Sequence, residues 1–389
     1  MTKRQKRILL GQLNSNGDCL YATAVARQIK TDYPGCHLTW AVGAMCRAIL
    51  DGNPYVDEVW EVPLTSPNEI HEVWPAFEQS ARARLAAGEF DEMFLTQISP
   101  GNLHLYDGTI RSSIFRGYGK PITVPITPVL RLSASEVENV RRFAESHRLS
   151  ERDAVLLFEC SAKSGQSFMS PEFALEVARR IVGKFPGAVV ILSSNMAIDS
   201  GNDRIVDGSV LSLRENAELT KYCSLLVGGS SGVSWVATSD WAKPLPMIQL
   251  LKEDSFWFAS MAYDYEHWGF STAEVIEMTH GSADEVVECI ETVLNENFGK
   301  AKARFHQSVK PRFGWYNYYL ASFMAAGDYK KATSLLRAIV QRHGLRARFM
   351  SSYFYNLLRS IAPSSLLGAA RTIKGRVSTE NSAERRGKI

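Results

Sequence analysis

Three stretches of this sequence place reactive or anion-binding groups where a strand gives way to a helix. The first is Leu13-Asn14-Ser15-Asn16-Gly17-Asp18. A glycine there permits a tight turn and close approach of backbone to ligand, and Asp18 falls in the first helical turn. Its carboxylate has two readings. One is a helix-terminal acid favoured by the dipole. The other is a general base: a sugar hydroxyl has a very high pKa, so its proton must be removed as the new bond forms, and a positioned carboxylate does that work. The second stretch is Val227-Gly228-Gly229-Ser230-Ser231-Gly232-Val233. Its glycines and serines at a helix start form either a capped turn or an anion site whose N–H groups face a diphosphate. Gly229, Ser230, Ser231 and Gly232 are the candidate anion-binding residues. It is not a Walker loop, because no lysine follows the last glycine. The third is the polar loop from Glu159 to Ser167, in which Ser161 and Lys163 are donor-side candidates; the lysine is either solvated or set to neutralise a departing diphosphate.

The elements that must position these groups alternate between strand and helix, the pattern of βαβ units. Strands are expected at Ile8–Leu13, His37–Val42, Asp57–Val62 and Asp91–Thr96, with helices at Asp18–Tyr33 and Glu69–Ala87. Pro121–Pro128 holds three prolines and reads as a strand edge or linker. Ser133–His147 is a helix with a capping box, Ser133 and Glu136. A second series opens at Ala154–Glu159. It continues with a helix from Ser170 to about Lys184, a strand at Ala188–Ser193, and a short helix at Glu215–Cys223. Leu225–Val227 is a strand, Ser231–Asp240 a helix, Pro246–Leu250 a strand and Ala283–Phe298 a long helix. The expected fold class is therefore α/β, two Rossmann-like doubly wound domains facing a cleft, plus a basic helical appendage. Boundaries fall at 1–130, 131–299 and 300–375, with residues 376–389 a disordered tail. Within the appendage, Tyr316–Ala326 and Tyr329–Arg342 read as a helical hairpin.

Composition narrows the classes. The chain has 389 residues, 45% of them hydrophobic, enough for two cored domains. Net charge is +3, which excludes a globally basic nucleic-acid binder. The charge is unevenly placed. Residues 300–389 hold 18 Lys and Arg against 3 Asp and Glu, and by subtraction residues 1–299 hold 26 against 38. A basic, aromatic end on an acidic body is either a solvated face over an aromatic helical core or an element for an anionic partner such as a membrane surface. Six cysteines without a CxxC pair and eight histidines without an HxxxH pair give no metal-ligand spacing, so no metal or cofactor is expected. With no signal peptide and no apolar run near twenty residues, a cytoplasmic protein, peripheral at an inner membrane, is expected.

The segments Arg7-Ile8-Leu9-Leu10, Ser15-Asn16-Gly17-Asp18, Tyr33-Pro34-Gly35 and Asn53-Pro54-Tyr55-Val56-Asp57-Glu58-Val59 occur in an order and spacing that resembles family 9 glycosyltransferases, the heptosyltransferase type. The likeness continues more loosely through Ser170-Pro171-Glu172-Phe173 and Ser230-Ser231-Gly232, covering roughly residues 7–298. It implies a GT-B fold, inverting and metal-independent sugar transfer, Asp18 as base, and Asn14, Ser15, Asn16 and Gly17 as the acceptor-side loop. Two family signatures are altered. Ser167-Phe168-Met169 stands where the family carries Lys-Arg-Trp. Ser230-Ser231-Gly232-Val233-Ser234-Trp235-Val236-Ala237 stands where it carries Asp-Ser-Gly-x-x-His-x-Ala.

The expected activity is transfer from a nucleotide-sugar donor to a lipopolysaccharide, O-antigen or capsule-type glycan acceptor, free or lipid-linked. Two alternatives stay open: an epimerase or hydrolase of the same fold, and a non-catalytic scaffold subunit of a glycan assembly complex.

Overall fold

The computed structural model describes residues 4–160, 165–255 and 257–361. The chain forms two compact units. One runs to Asn102 and resumes over Gly108–Arg312; the other combines Leu103–Asp107 with the chain from Phe313 on.

The first unit contains two parallel sheets. Strands β1 (Arg7–Gly11), β2 (His37–Gly43), β3 (Glu58–Val62) and β4 (Glu92–Leu95) pair in the order β3-β2-β1-β4. Ile8, Leu9 and Leu10 are fully buried, as parallel strands covered on both faces require. Helix α1 (Asn16–Asp32) follows β1, a 3-10 turn at Ala44–Leu50 follows β2, and α2 (Ile70–Ala86) follows β3. Trp74 and Phe77 of α2 pack on Leu9, Ala41 and Val62. Helix α3 (Ile110–Tyr118) comes after β4.

Helix α4 (Ala134–Ser146) leads into the second sheet, and its capping box is formed by Ser133 and Glu136 as the sequence suggests. Strands β5 (Ala154–Glu159), β6 (Ala188–Ser193), β7 (Ile205–Asp207), β8 (Leu225–Gly228), β9 (Met247–Leu250) and β10 (Val275–Met278) pair in the order β10-β9-β8-β5-β6-β7, all parallel. Between them run α5 (Pro171–Lys184), α6 (Glu215–Leu219), α7 (Gly232–Val236) and α8 (Met261–Trp268), followed by α9 (Ala283–Asn295) and α10 (Phe298–Phe305). Val177 and Ile181 of α5 meet Val286 and Ile290 of α9 in the core.

Several elements differ from expectation. Helix α1 starts at Asn16, two residues before Asp18, with Ser15 as its N-cap. The helix expected over Ser231–Asp240 is only the five residues of α7. The long helix at Ala283–Phe298 is split, because the Asn297 side chain accepts from Lys300 N–H at 2.9 Å and starts a new helix. Strands β7 and β10 and helices α3 and α8 carry no clear period in the sequence.

Arg214 fastens the two halves of this unit. It is only 5% exposed, and its guanidinium donates to both oxygens of Glu136 and to the carbonyls of Ala48 (2.7 Å) and Asp51 (3.0 Å). Burial would raise the Glu136 carboxyl, but the hydrogen bonds from Arg214 and Ser133 outweigh it and lower it to about 2.

In the second unit, α11 (Gly314–Ala325) and α12 (Tyr329–His343) form the expected hairpin, and α13 (Ala347–Ile361) adds a third helix. Tyr106 is fully buried, with its ring 4.6 Å from that of Trp315, and His343 Nε2 lies 2.7 Å from the Asp107 carbonyl. No helix among the described residues is long and apolar enough to cross a membrane. The expected disordered tail lies outside the described residues.

Candidate active site

Ligands in open parallel sheets bind beyond the carboxyl ends of the strands, where the strand order reverses. In the first sheet that point lies between β1 and β4, and in the second between β5 and β8. The loops leaving both points line one cleft of about 1020 Å³.

The β1 loop is held by a neutral side chain from across its switch point. Gln97 Oε1, just after β4, accepts from Gln12 Nε2 (3.0 Å), Leu13 N–H (3.0 Å) and Asn14 N–H (2.9 Å). The chain then passes through Ser15 at φ 71°, a left-handed value that costs a serine energy and persists only where neighbours fix it. Asn14, Ser15, Asn16, Gly17 and Asp18 all line the cleft.

Asp18 sits in the first turn of α1, yet among the described residues its carboxylate has no hydrogen bond or ion pair. Burial pushes its pKa from 3.8 up to about 7. The helix dipole acts the other way, but it contributes only about 0.3–1 kcal/mol at such a position, less than one pKa unit. Desolvation therefore prevails, and the group is poised to exchange a proton near neutrality.

The second turn is built around a charge that the sequence did not advertise. Glu159, the last residue of β5, is 2% exposed. Its Oε2 accepts from Gly229 N–H (2.9 Å) and Ser234 Oγ (2.7 Å), and its Oε1 from Val233 N–H (2.9 Å) and Ser231 Oγ. Gln249 Oε1 takes Ser230 N–H at 2.6 Å. Of the amides expected to face a diphosphate, those of Gly229, Ser230 and Val233 are thus already bonded within the protein. Gly228 is needed for this packing, since a Cβ there would lie 2.3 Å from Ser234 Oγ and 3.0 Å from Glu159 Oε2. Ser230 (φ 53°), Ser231 and Gly232 still line the cleft, whereas Gly229 lies behind them. Ser161 and Lys163 fall outside the described residues.

A third group lies between the turns. Arg111 of α3 is 2% exposed, and its Nε is 3.1 Å from Asp264 Oδ2 of α8. Its guanidinium carbon lies 4.6 Å from the centre of the Tyr21 ring and 5.5 Å from that of Trp235. Arg111 is the single Lys or Arg among the described residues lining the cleft. Tyr21 and Trp235, one from each half, meet edge to face at 4.7 Å.

Sequence reasoning missed Gln97, Glu159, Arg111, Asp264 and Gln249. Only Glu159 left a signal, as a charged residue ending the apolar run Ala154–Phe158. The others become legible only when the switch points bring distant segments together.

No family model and no curated protein matches the chain in sequence. Solved structures do match. A family 9 glycosyltransferase from Veillonella parvula superposes with a TM-score of 0.54 at 16% identity, covering 76% of this chain and 99% of that one. The fold is GT-B. At that identity the likeness is one of architecture. Two further structures superpose more loosely. E. coli ADP-heptose LPS heptosyltransferase II covers 75% of this chain and 99% of its own, at 17% identity and a TM-score of 0.49. A UDP-N-acetylglucosamine 2-epimerase covers 83% and 97%, at 10% identity and a TM-score of 0.46. In GT-B terms, Asp18 belongs to the first half and the Glu159-centred turn to the second.

Proposed function

We propose that the cleft transfers a sugar from a nucleotide-activated donor to a hydroxyl of a glycan acceptor, with Asp18 as the general base. The supporting observation is a carboxylate without a partner among the described residues, its pKa raised to about 7 by burial, lining a cleft that both switch points share. In this reading the acceptor hydroxyl gives its proton to Asp18 as its oxygen bonds to the anomeric carbon. The bond to the nucleotide diphosphate breaks on the opposite face, so the configuration inverts. Asn14, Ser15, Asn16 and Gly17 contact the acceptor. Ser230, Ser231 and Gly232 contact the donor, with Gly229 behind them, and Ser161 and Lys163 are donor-side candidates by sequence alone. Arg111 is the one described cation lining the cleft, its charge already paired with Asp264. The acceptor is a lipopolysaccharide, O-antigen or capsule-type precursor, free or lipid-linked, met at an inner-membrane surface. The decisive experiment is Asp18→Asn, assayed for transfer and for donor binding. Normal donor binding with transfer slowed 10²–10⁴-fold, the usual range for a general base, supports the reading. Transfer at the wild-type rate would falsify it.

The internal bonding of the second turn favours a second reading, a non-catalytic scaffold of the same fold, because Glu159 stands where a diphosphate would take up amides. A thermal-shift panel of nucleoside diphosphates and their sugars separates the two. A ligand at a hundred times its Kd stabilises by about 2.7 kcal/mol, whereas a scaffold shows no shift with any of them.

A further inference from the structure

Helix α13 presents an apolar face that nothing among the described residues covers. Phe354, Tyr355 and Leu358 are 52%, 60% and 63% exposed. With the exposed Ala347 and Ser351 they recur at i, i+4, i+7, i+8 and i+11, which on a 3.6-residue period is one continuous stripe. The opposite side of the helix makes the unit's core: Phe349 is 1% exposed, and its ring lies 5.0 Å from that of Phe313 and 5.6 Å from that of Tyr316. The stripe is therefore surplus to the packing of the described residues. Arg348 and Arg359 share a helical line with Tyr355, at i, i+7 and i+11, and border the stripe on that side. Both are exposed, as is Arg346 just before the helix. Among the described residues none of these three arginines has an acidic partner.

We propose that this face of α13 docks on an anionic phospholipid surface, with Phe354 and Leu358 entering the acyl boundary and Tyr355, Arg348 and Arg359 at headgroup level. The inference sharpens the membrane-facing part of the proposed function but does not depend on sugar transfer. Charge selects the occupant. Residues 313–361 carry seven Lys and Arg against the single acid Asp328. Basic side chains flanking an aromatic and leucine stripe are the composition of an interfacial helix, where arginine stems lie along the apolar zone and their heads reach the phosphates. A second copy of the chain is disfavoured, because apposed stripes would bring like-charged arginines together.

The test uses the full chain. It should co-sediment with vesicles of phosphatidylcholine containing about 30 mol% phosphatidylglycerol, bind pure phosphatidylcholine at least tenfold more weakly, and lose binding as salt rises. F354S/L358S and R348E/R359E should each weaken vesicle binding roughly tenfold or more, with unchanged far-UV circular dichroism; Arg348 also lies over the Phe313 and Phe349 rings, so R348E/R359E lowers the melting temperature slightly. Asp18→Asn should bind vesicles like wild type, so loss of chemistry and loss of docking are read separately. The proposal is overturned if wild type ignores anionic vesicles, or if either double variant binds as well as wild type. It is equally overturned if light scattering shows a dimer that F354S/L358S abolishes, which would assign the stripe to a second copy.

Discussion

At the first strand-to-helix junction, the neutral amide of Gln97 gathers the N–H groups of Leu13 and Asn14, and the nearby carboxylate of Asp18 has no partner among the described residues. At the second, the gathering group is itself a carboxylate, Glu159, with four donors on its two oxygens. Both turns pass through a serine at positive φ and both face the same cleft. The shared architecture thus gives one acid four donors and leaves the other, among the described residues, with none. Donors reaching a desolvated carboxylate offset the cost of its burial, and a carboxylate without them keeps a raised pKa.

The contrast can be broken most severely at Asp18. In the proposed reaction its replacement by asparagine costs 10²–10⁴ in turnover, while the fold survives. Next in size is Glu159→Ala, which strands the N–H groups of Gly229 and Val233 and the hydroxyls of Ser231 and Ser234. Each buried donor left unsatisfied costs about 1–3 kcal/mol, so a large fall in denaturation midpoint is expected. If Glu159→Ala melts like wild type, the turn does not need its carboxylate and the comparison fails.

A third measurement exploits the sign of the Asp18 shift. Its folded pKa of about 7 exceeds the ordinary 3.8, so the folded chain holds the proton more tightly than the unfolded chain. Its contribution to stability therefore falls as pH rises from about 4 to about 7 and is constant above. Asp18→Asn should be more stable than wild type at pH 8, by at most about 4 kcal/mol at 1.36 kcal/mol per unit, less for the solvent that the cleft admits. The gain should vanish below pH 4. An equal gain at both pH values would show that the carboxylate is not desolvated. In wild type, transfer should rise about tenfold per pH unit below 7 and level off above it.

The smallest expected effect is Gly228→Ala, which pushes a methyl against Ser234 and Glu159. It should cost about 1–3 kcal/mol through overpacking, with little change in the Asp18-dependent pH profile.

Much of the α/β plan was legible because period and punctuation agree. The Ile8–Leu10 run, the Ser133 and Glu136 box and the Ser170-Pro171 start each correspond to an element at nearly the expected place. Legibility failed where tertiary contacts decide. β7 is three residues long, α8 mixes aromatic and acidic residues without an apolar period, and Asn297 divides a continuous helical pattern with one side-chain bond. At the site, Asp18 was visible through its glycine and its place at the helix start. Arg111 and Asp264 were not, since they are distant in sequence and pair only after both sheets have formed.

The membership of Leu103–Asp107 in the C-terminal unit has a consequence for biosynthesis. Tyr106, fully buried in the finished molecule against Trp315, leaves the ribosome long before its cover. At roughly 5–20 residues per second, the interval between the two is on the order of 10–40 s. During that time an aromatic side chain in mid-chain stands open to water and to other nascent chains. Truncation before Phe313 would make that vulnerable interval permanent.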